Sequence, residues 1–181
     1  MWGALLIPTT NIGQGFGQML NKEDIILLFL EDPKKLKDEI WYENVPKSDE
    51  IRTLICDLGN SGYAYLYAKD VDKSPHPDTR QGTCKDPKYA YYYAINIDKS
   101  PKSDTRQGAC TDPKYAYYYA RDVDKPPRSD TRQEACKNPE YAYRYARWVD
   151  KSPRSDTRES SYKDSYWKER YEEWENLLKK K

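Results

Sequence analysis

A single sequence unit recurs along this 181-residue chain at a fixed interval. The stretch DPKYAYYYA, which begins at Asp112, has close copies 26 residues before it and 26 residues after it. Self-similarity at a fixed period of this length is typical of repeat proteins, in which each unit buries its apolar face only against its neighbours. The repeat therefore constrains the fold more strongly than any local propensity does.

Four copies align without gaps, because distinctive residues keep their places. The recurrent positions are Tyr63, Tyr89, Tyr115 and Tyr141; Ala68, Ala94, Ala120 and Ala146; and Arg80, Arg106, Arg132 and Arg158. Weaker copies extend the pattern in both directions. We predict a repeat array over residues 32–163, with units at about 32–59, 60–85, 86–111, 112–137 and 138–163.

Each unit is predicted to contain a longer helix followed by a shorter one. In the third clear copy Asp112 is a predicted N-cap, and Pro113 occupies the first helical position, where its missing N–H costs nothing. The proline pair at 126–127 ends this longer helix, and either Ser129 or Asp130 is predicted to cap the shorter one. The sequence thus predicts an all-α fold, an α-solenoid of about 26-residue two-helix repeats.

The two ends of the chain are predicted to close this array. Residues 164–181 have aromatic side chains on one helical face and charges on the other, so we predict a C-terminal capping helix. Residues 1–31 form a predicted N-terminal segment or cap. Because this segment has neither the basic start nor the cleavage pattern of a signal peptide, and because no apolar run approaches the roughly 20 residues that span a bilayer, we expect a cytoplasmic protein without membrane association.

Tyrosine is predicted to supply most of the core. With a mean hydropathy of −1.11 and 34% charged residues, the composition alone would be typical of disorder. The chain nevertheless has 18 tyrosines, each of which can bury a large apolar area. A helical wheel predicts that Tyr115 and Tyr119 are buried and that Tyr118 is exposed, and the Arg and Asp of the recurrent SDTR are predicted partners for the buried hydroxyls.

The copies differ from one another mainly on one face of the longer helix. Positions that hold Leu, Tyr or Arg in different copies lie together on the wheel, opposite the Ala/Val face, and are predicted to be exposed. We call these positions the variable stripe and predict that it binds a partner. Its residues are Leu66, Lys69, Tyr92, Ile95, Tyr118, Arg121, Arg144, Arg147 and Trp148.

No residue pattern in the chain predicts a catalytic, cofactor-binding or metal site. Equivalent positions of stacked helices lie too far apart for a disulfide, so the four cysteines, which share one repeat position, are predicted to be reduced thiols. The single histidine, His76, has no nucleophile at a meaningful spacing. The sequence DVDKS at 70–74 lacks the glycine and the final acid of a calcium loop, and GQGFG at 13–17 lacks the lysine of a phosphate loop. We predict a protein without enzymatic activity and without a cofactor.

The unit DPxYAYxYAxxV with its SDTR tail resembles short Tyr/Ala-rich helical repeats of proteins from tailed phages, giant viruses and some bacteria. The resemblance covers about residues 60–163. In that family the stretch after the longer helix is commonly rich in Gly, Trp, Pro and Glu, whereas here it reads DKSPKSDTRQGAC, a divergent version. The resemblance implies a helical repeat and a viral or mobile-element source, and it transfers no catalytic residue.

Two functions remain open at this point. The first is a protein-binding repeat module, which as a viral accessory protein could bind and inhibit a host factor in the host cytoplasm. The alternative is a helical repeat that binds single-stranded nucleic acid through tyrosines and basic residues. With 31 Lys and Arg against 30 Asp and Glu, the net charge of +1 favours the first.

Overall fold

The computed structural model describes residues 21–31 and 45–180 of the chain. The chain divides into two compact units, Met1–Pro46 and Lys47–Lys181. In the first unit, helix α1 spans Lys22–Glu31. The predictions for residues 1–20, and for residues 32–44 of the first array unit, lie outside the described residues.

The second unit is built from helices and turns throughout its described residues. Its helices are α2 (Asp49–Asp57), α3 (Ser61–Leu66), α4 (Pro77–Thr83), α5 (Pro87–Tyr93), α6 (Ser103–Ala109), α7 (Pro113–Asp122), α8 (Ser129–Ala135), α9 (Pro139–Tyr145), α10 (Ser155–Ser161) and α11 (Ser165–Lys179). The helices α3, α5 and α9 continue as π-helical turns through Tyr67–Asp72, Ala94–Asp98 and Ala146–Asp150. Long and short helices alternate from α3 onward, and each packs against its neighbours. The predicted all-α class is confirmed, and none of the described helices is long and apolar enough to cross a membrane.

Each long helix in the described part of the chain begins with the same cap. A side-chain oxygen of the N-cap residue accepts hydrogen bonds from two backbone N–H groups of the first turn, at 2.9 to 3.4 Å. The N-cap residues are Asn60, Asp86, Asp112, Asn138 and Asp164. The predicted N-cap at Asp112 and the proline after it are confirmed.

The short helices begin differently from the prediction. The N-cap of α8 is Arg128, not Ser129 or Asp130, and its side chain makes no capping hydrogen bond. Its backbone carbonyl instead accepts a hydrogen bond of 2.9 Å from the hydroxyl of Tyr145, a residue of the next long helix. Because a neighbouring unit binds the start of the short helix, a local Ser or Asp cap is not needed.

The long helix α7 ends without the π-helical turn of the other three copies. In the last copy this turn is closed by a hydrogen bond of 3.2 Å from the N–H of Ser152 to the carbonyl of Ala146. Pro126 occupies the position of Ser152 in the third copy, and proline has no N–H to donate. The prediction that the prolines at 126–127 end this helix is confirmed.

The tyrosine core differs in detail from the helical-wheel prediction. Tyr119 is completely buried, as predicted, but Tyr115 and Tyr118 are both half-buried. The second deeply buried tyrosine of α7 is Tyr117, which is 2% exposed and contacts the ring of Tyr141 at a centroid distance of 6.1 Å. A long helix has a neighbour on each side, so its apolar residues occupy two faces. A helical wheel with one buried face therefore predicts the burial of some of them wrongly.

Candidate partner-binding surface

A buried tyrosine of each long helix binds the start of the preceding short helix. The hydroxyl of Tyr119 donates to the carbonyl of Lys102 and accepts from the N–H of the same residue, both at 3.1 Å. It also lies 3.0 Å from the hydroxyl of Thr105. The predicted Arg and Asp partners are therefore wrong, because the Thr of SDTR and the backbone satisfy this hydroxyl. Tyr93 and Tyr171 make the same three contacts. Tyr145 bonds the carbonyl of Arg128 and the hydroxyl of Thr131, and Tyr67 bonds both backbone groups of Ser48.

The Arg of SDTR instead forms an ion pair with an aspartate at the end of the next long helix. The Nε atom of Arg106 donates to both carboxylate oxygens of Asp124, at 3.0 and 3.1 Å. The side chain of Asp124 is only 1% exposed. Burial raises the pKa of this carboxyl above its usual value, although Arg106 opposes the rise. Similar pairs are Arg52–Asp72, Arg80–Asp98 and Arg132–Asp150, at 2.8, 2.7 and 3.6 Å.

These inter-unit contacts leave the variable stripe accessible to solvent. Trp148 is 54% exposed and is the most accessible aromatic side chain of the stripe, while Ile95 is 36% exposed. Lys69, Arg121 and Arg147 are also exposed. The remaining stripe residues, Leu66, Tyr92, Tyr118 and Arg144, are half-buried. Every predicted stripe residue thus has at least part of its side chain at the surface.

Two of the four cationic residues of the stripe lie over aromatic rings. The guanidinium of Arg121 is 4.9 Å from the ring centroid of Tyr118, and that of Arg147 is 4.9 Å from the ring centroid of Trp148. Arg121 also donates two hydrogen bonds of 2.7 Å to Asp122, which raise the pKa of its guanidinium. Arg144 pairs with Glu140 at 2.8 Å. The stripe therefore presents stacked Arg–aromatic pairs whose geometry is held by neighbouring side chains.

A belt of tyrosines supports the stripe from one unit to the next. Tyr91 contacts Tyr92 of its own helix at a centroid distance of 5.5 Å, and Tyr118 of the following long helix at 5.8 Å. Its hydroxyl donates a hydrogen bond of 2.7 Å to Asp122 in that helix. Ring contacts of this kind connect Tyr65, Tyr89, Tyr91, Tyr92, Tyr115, Tyr117, Tyr118 and Tyr141. The i, i+3 spacing of the tyrosines within YAYY was the sequence signal that could have predicted these ring contacts.

The only histidine has a structural position. His76 is the N-cap of α4, and its Nδ1 accepts a hydrogen bond of 3.3 Å from the N–H of Asp78. Its backbone N–H and carbonyl are bonded to the hydroxyl of Tyr93 at 2.9 and 3.0 Å. The bonds to Tyr93 belong to the set of hydrogen bonds that recurs between units.

The four cysteines are free, half-buried thiols near the ends of the short helices. Burial raises the pKa of Cys56 to about 11, and that of Cys84, Cys110 and Cys136 to about 12. Since the thiolate is the nucleophilic form, this rise in pKa lowers the reactivity of the four thiols at neutral pH.

We expect iodoacetamide at pH 7.5 to modify the four cysteines at least about 100-fold more slowly in the folded protein than in denaturant. The reason is that the thiolate fraction falls tenfold for each unit by which the pKa rises. Mass spectrometry over time measures both rates. Rapid labelling of any one thiol in the folded state would contradict its burial, and a thiol that resists labelling in denaturant without reductant would indicate a disulfide.

Comparisons of the chain with protein-family models, with curated proteins and with solved structures found no match.

Proposed function

We propose that the alternating helices form an α-solenoid and that the protein is a non-catalytic, cytoplasmic module that binds another protein through the variable stripe. The observation that carries this proposal is a contrast between positions within one repeat. The tyrosine and Arg–Asp contacts recur from unit to unit, whereas the stripe residues change chemistry from copy to copy and remain accessible. In helical repeat proteins, the contacts that recur in every unit hold the units together, and the accessible residues that differ between units contact the protein partner.

The outer face of the C-terminal helix α11 is evidence for the proposed solenoid. This helix is the last of five long helices in the described part of the chain, and its surface is that of a cap. In α9 and the π-helical turn that continues it, Ala142, Tyr143 and Ala146 are buried. The residues 26 positions later in α11 are Lys168, Glu169 and Glu172, and all three are exposed. A charged outer face of this kind prevents a further unit from packing on the last one.

Deletion of residues 112–137, one whole unit, is expected to leave a folded protein with a lower melting temperature. After this deletion Tyr145 occupies the place of Tyr119 against Lys102, and Asp150 becomes the partner of Arg106. Deletion of residues 112–124 alone removes α7 without its short helix, and it is expected to abolish cooperative melting followed by circular dichroism. A half deletion that melts like the full chain would contradict the solenoid.

The fourth copy is the expected centre of partner binding. Trp and Arg are the residue types that most often dominate binding energy. Trp148 stands where the other copies carry Asp or Asn, and Arg144 stands where they carry Leu or Tyr. We expect Trp148→Ala and Arg144→Ala each to weaken binding by more than about 2 kcal/mol, with a melting temperature close to that of the unchanged protein.

Measurement of these binding affinities requires that the partner is identified first. Affinity capture from host lysate with mass spectrometry identifies the partner, and calorimetry with the purified partner gives each affinity. Tyr166→Ala is a matched control, because Tyr166 is an aromatic residue 52% exposed but outside the stripe. Normal binding by both stripe variants would place the site elsewhere. If the source is viral, as the sequence resemblance implies, the partner is expected to be a host protein.

The alternative function is the binding of single-stranded nucleic acid, and the tyrosine belt is the observation that favours it, because bases stack on aromatic side chains. This function predicts an affinity that falls steeply with salt, and it predicts that Lys69 and Arg121 matter about as much as Arg147. Titration of a labelled oligonucleotide at two salt concentrations distinguishes the two functions.

A further inference from the structure

A lysine recurs at the same position just after each of four long helices. The four residues are Lys73, Lys99, Lys125 and Lys151. All four are exposed, and among the residues that the structure describes none has a carboxylate within 4 Å. The ion pairs that hold adjacent units together therefore do not use these lysines.

The backbone at this position does not favour lysine. Lys73, Lys99 and Lys151 have φ angles of 54°, 50° and 55°, in the left-handed region where glycine is the preferred residue after a helix. A cation near a helix C-terminus interacts favourably with the helix dipole, but that interaction does not require this particular position. Lys125 keeps the lysine although its φ is not positive. Lysine thus occupies this position in all four copies, although the backbone conformation of one copy differs.

The spacing of these lysines matches an extended peptide. Packed helices lie about 8–10 Å apart, so in a regular stack successive lysines are separated by about that distance. A polyproline II chain has three residues per turn and a rise of about 3.1 Å per residue, so every third side chain returns to the same face after about 9 Å. Each lysine of the row lies four residues beyond a stripe residue (Lys69, Ile95, Arg121 or Arg147), so the row continues the variable stripe.

Half-exposed aspartates that follow the lysines in sequence bear on which polyanion fits. Each lysine of the row is followed five residues later by an aspartate whose side chain is 47 to 49% exposed. The aspartates are Asp78, Asp104, Asp130 and Asp156, and each has a basic side chain at 3.5 to 3.9 Å, so their charges are partly offset. A nucleic acid strand carries a phosphate at every nucleotide and brings negative charge close to these aspartates. A peptide with one acidic residue in three places its carboxylates at the lysines and neutral residues between them.

We propose that this lysine row binds an extended acidic segment of the protein partner, with an Asp or Glu at every third residue. The proposal rests on the proposed protein-binding function and on the solenoid stack. It adds the chemistry of the partner: a segment in the polyproline II conformation whose acidic side chains pair with successive units.

The probe is a labelled peptide of four Pro-Pro-Glu repeats, titrated into the full chain at low salt and followed by fluorescence anisotropy. A peptide of the same composition with its four glutamates adjacent tests the spacing, and a twelve-nucleotide oligo-dT tests the nucleic acid alternative. We expect the repeating peptide to bind at least about tenfold more tightly than either control. Equal binding of the two peptides, or tighter binding of oligo-dT, overturns the proposal.

Two sets of variants test the residues. The double variant Lys99→Gln/Lys125→Gln is expected to lose at least about fivefold in affinity for the peptide. Its control, Lys85→Gln/Lys163→Gln, removes the same charge from exposed lysines in the turns after the short helices and is expected to bind normally. Equal losses in the two double variants would mean that only net charge matters and would overturn the proposal.

Glycine variants separate binding from folding. Lys99→Gly and Lys151→Gly place the preferred residue at the left-handed positions, so the melting temperature is expected to stay the same or to rise while peptide affinity falls. Unchanged affinity in both overturns the proposal. If the repeating peptide does not bind while Trp148→Ala still weakens binding of the captured partner, the lysine row is wrong and the proposed function stands.

Discussion

Replacement of Tyr119 by alanine is expected to lower the free energy of unfolding by about 3–5 kcal/mol, the usual range for truncation of a buried aromatic side chain. The ring is completely buried between units. Its hydroxyl also binds the start of α6, where it pairs with both backbone groups of Lys102. The variant therefore loses packing and the inter-unit hydrogen bonds together, and urea unfolding monitored by circular dichroism measures the loss.

The conservative variant Tyr119→Phe isolates the hydroxyl. It keeps the ring but leaves the N–H of Lys102 without its partner, and we expect a loss of about 1–2 kcal/mol. Tyr118→Phe is the matched control, because the hydroxyl of Tyr118 has no hydrogen-bond partner among the residues that the structure describes, and its removal is expected to change stability by less than about 0.5 kcal/mol. Equal effects of the two Phe variants would contradict the inter-unit role of the hydroxyl.

Replacement of Arg106 by leucine is expected to cost about 3–5 kcal/mol at pH 7, because it removes the partner of a buried charge. The carboxylate of Asp124 is 1% exposed and accepts both of its hydrogen bonds from the Arg106 side chain. The control is Arg170→Leu, since the pair of Arg170 and Glu173 is 52% and 58% exposed. Removal of such a surface pair is expected to cost less than about 0.5 kcal/mol.

The pH dependence of the Arg106→Leu variant tests the cause of its instability. Without Arg106, burial holds the pKa of Asp124 in the folded state above its value in the unfolded chain. A raised folded-state pKa means that the folded protein binds the proton more tightly. The stability that this proton supplies is present at low pH and is lost as the pH rises through the folded-state pKa. The deficit relative to the unchanged protein is therefore expected to be smaller at pH 4 than at pH 7, and a deficit independent of pH would point to lost packing instead.

The helices could be predicted from the sequence because their signals are local. Asp112 and Pro113 form a cap and a first turn within three residues. The π-helical turns were not predicted, because caps and prolines mark where a helix begins and ends but not how its last turn is bonded. The variable stripe could be proposed without any structure, because copies within one chain report which positions tolerate different chemistry. Comparison of the copies did not distinguish the tyrosine belt or the lysine row from the other residues that recur in every copy.

The sequence by itself determined the helical class and the 26-residue register, because periodicity, caps and prolines act within a few residues of one another. Only the tertiary structure decided which tyrosines are buried and which groups satisfy their hydroxyls. The deciding contacts join different units: Tyr119 reaches back 17 residues to Lys102, and Arg106 reaches forward 18 residues to Asp124. A helical wheel describes one helix in isolation, whereas burial here depends on the neighbours that pack on both of its sides.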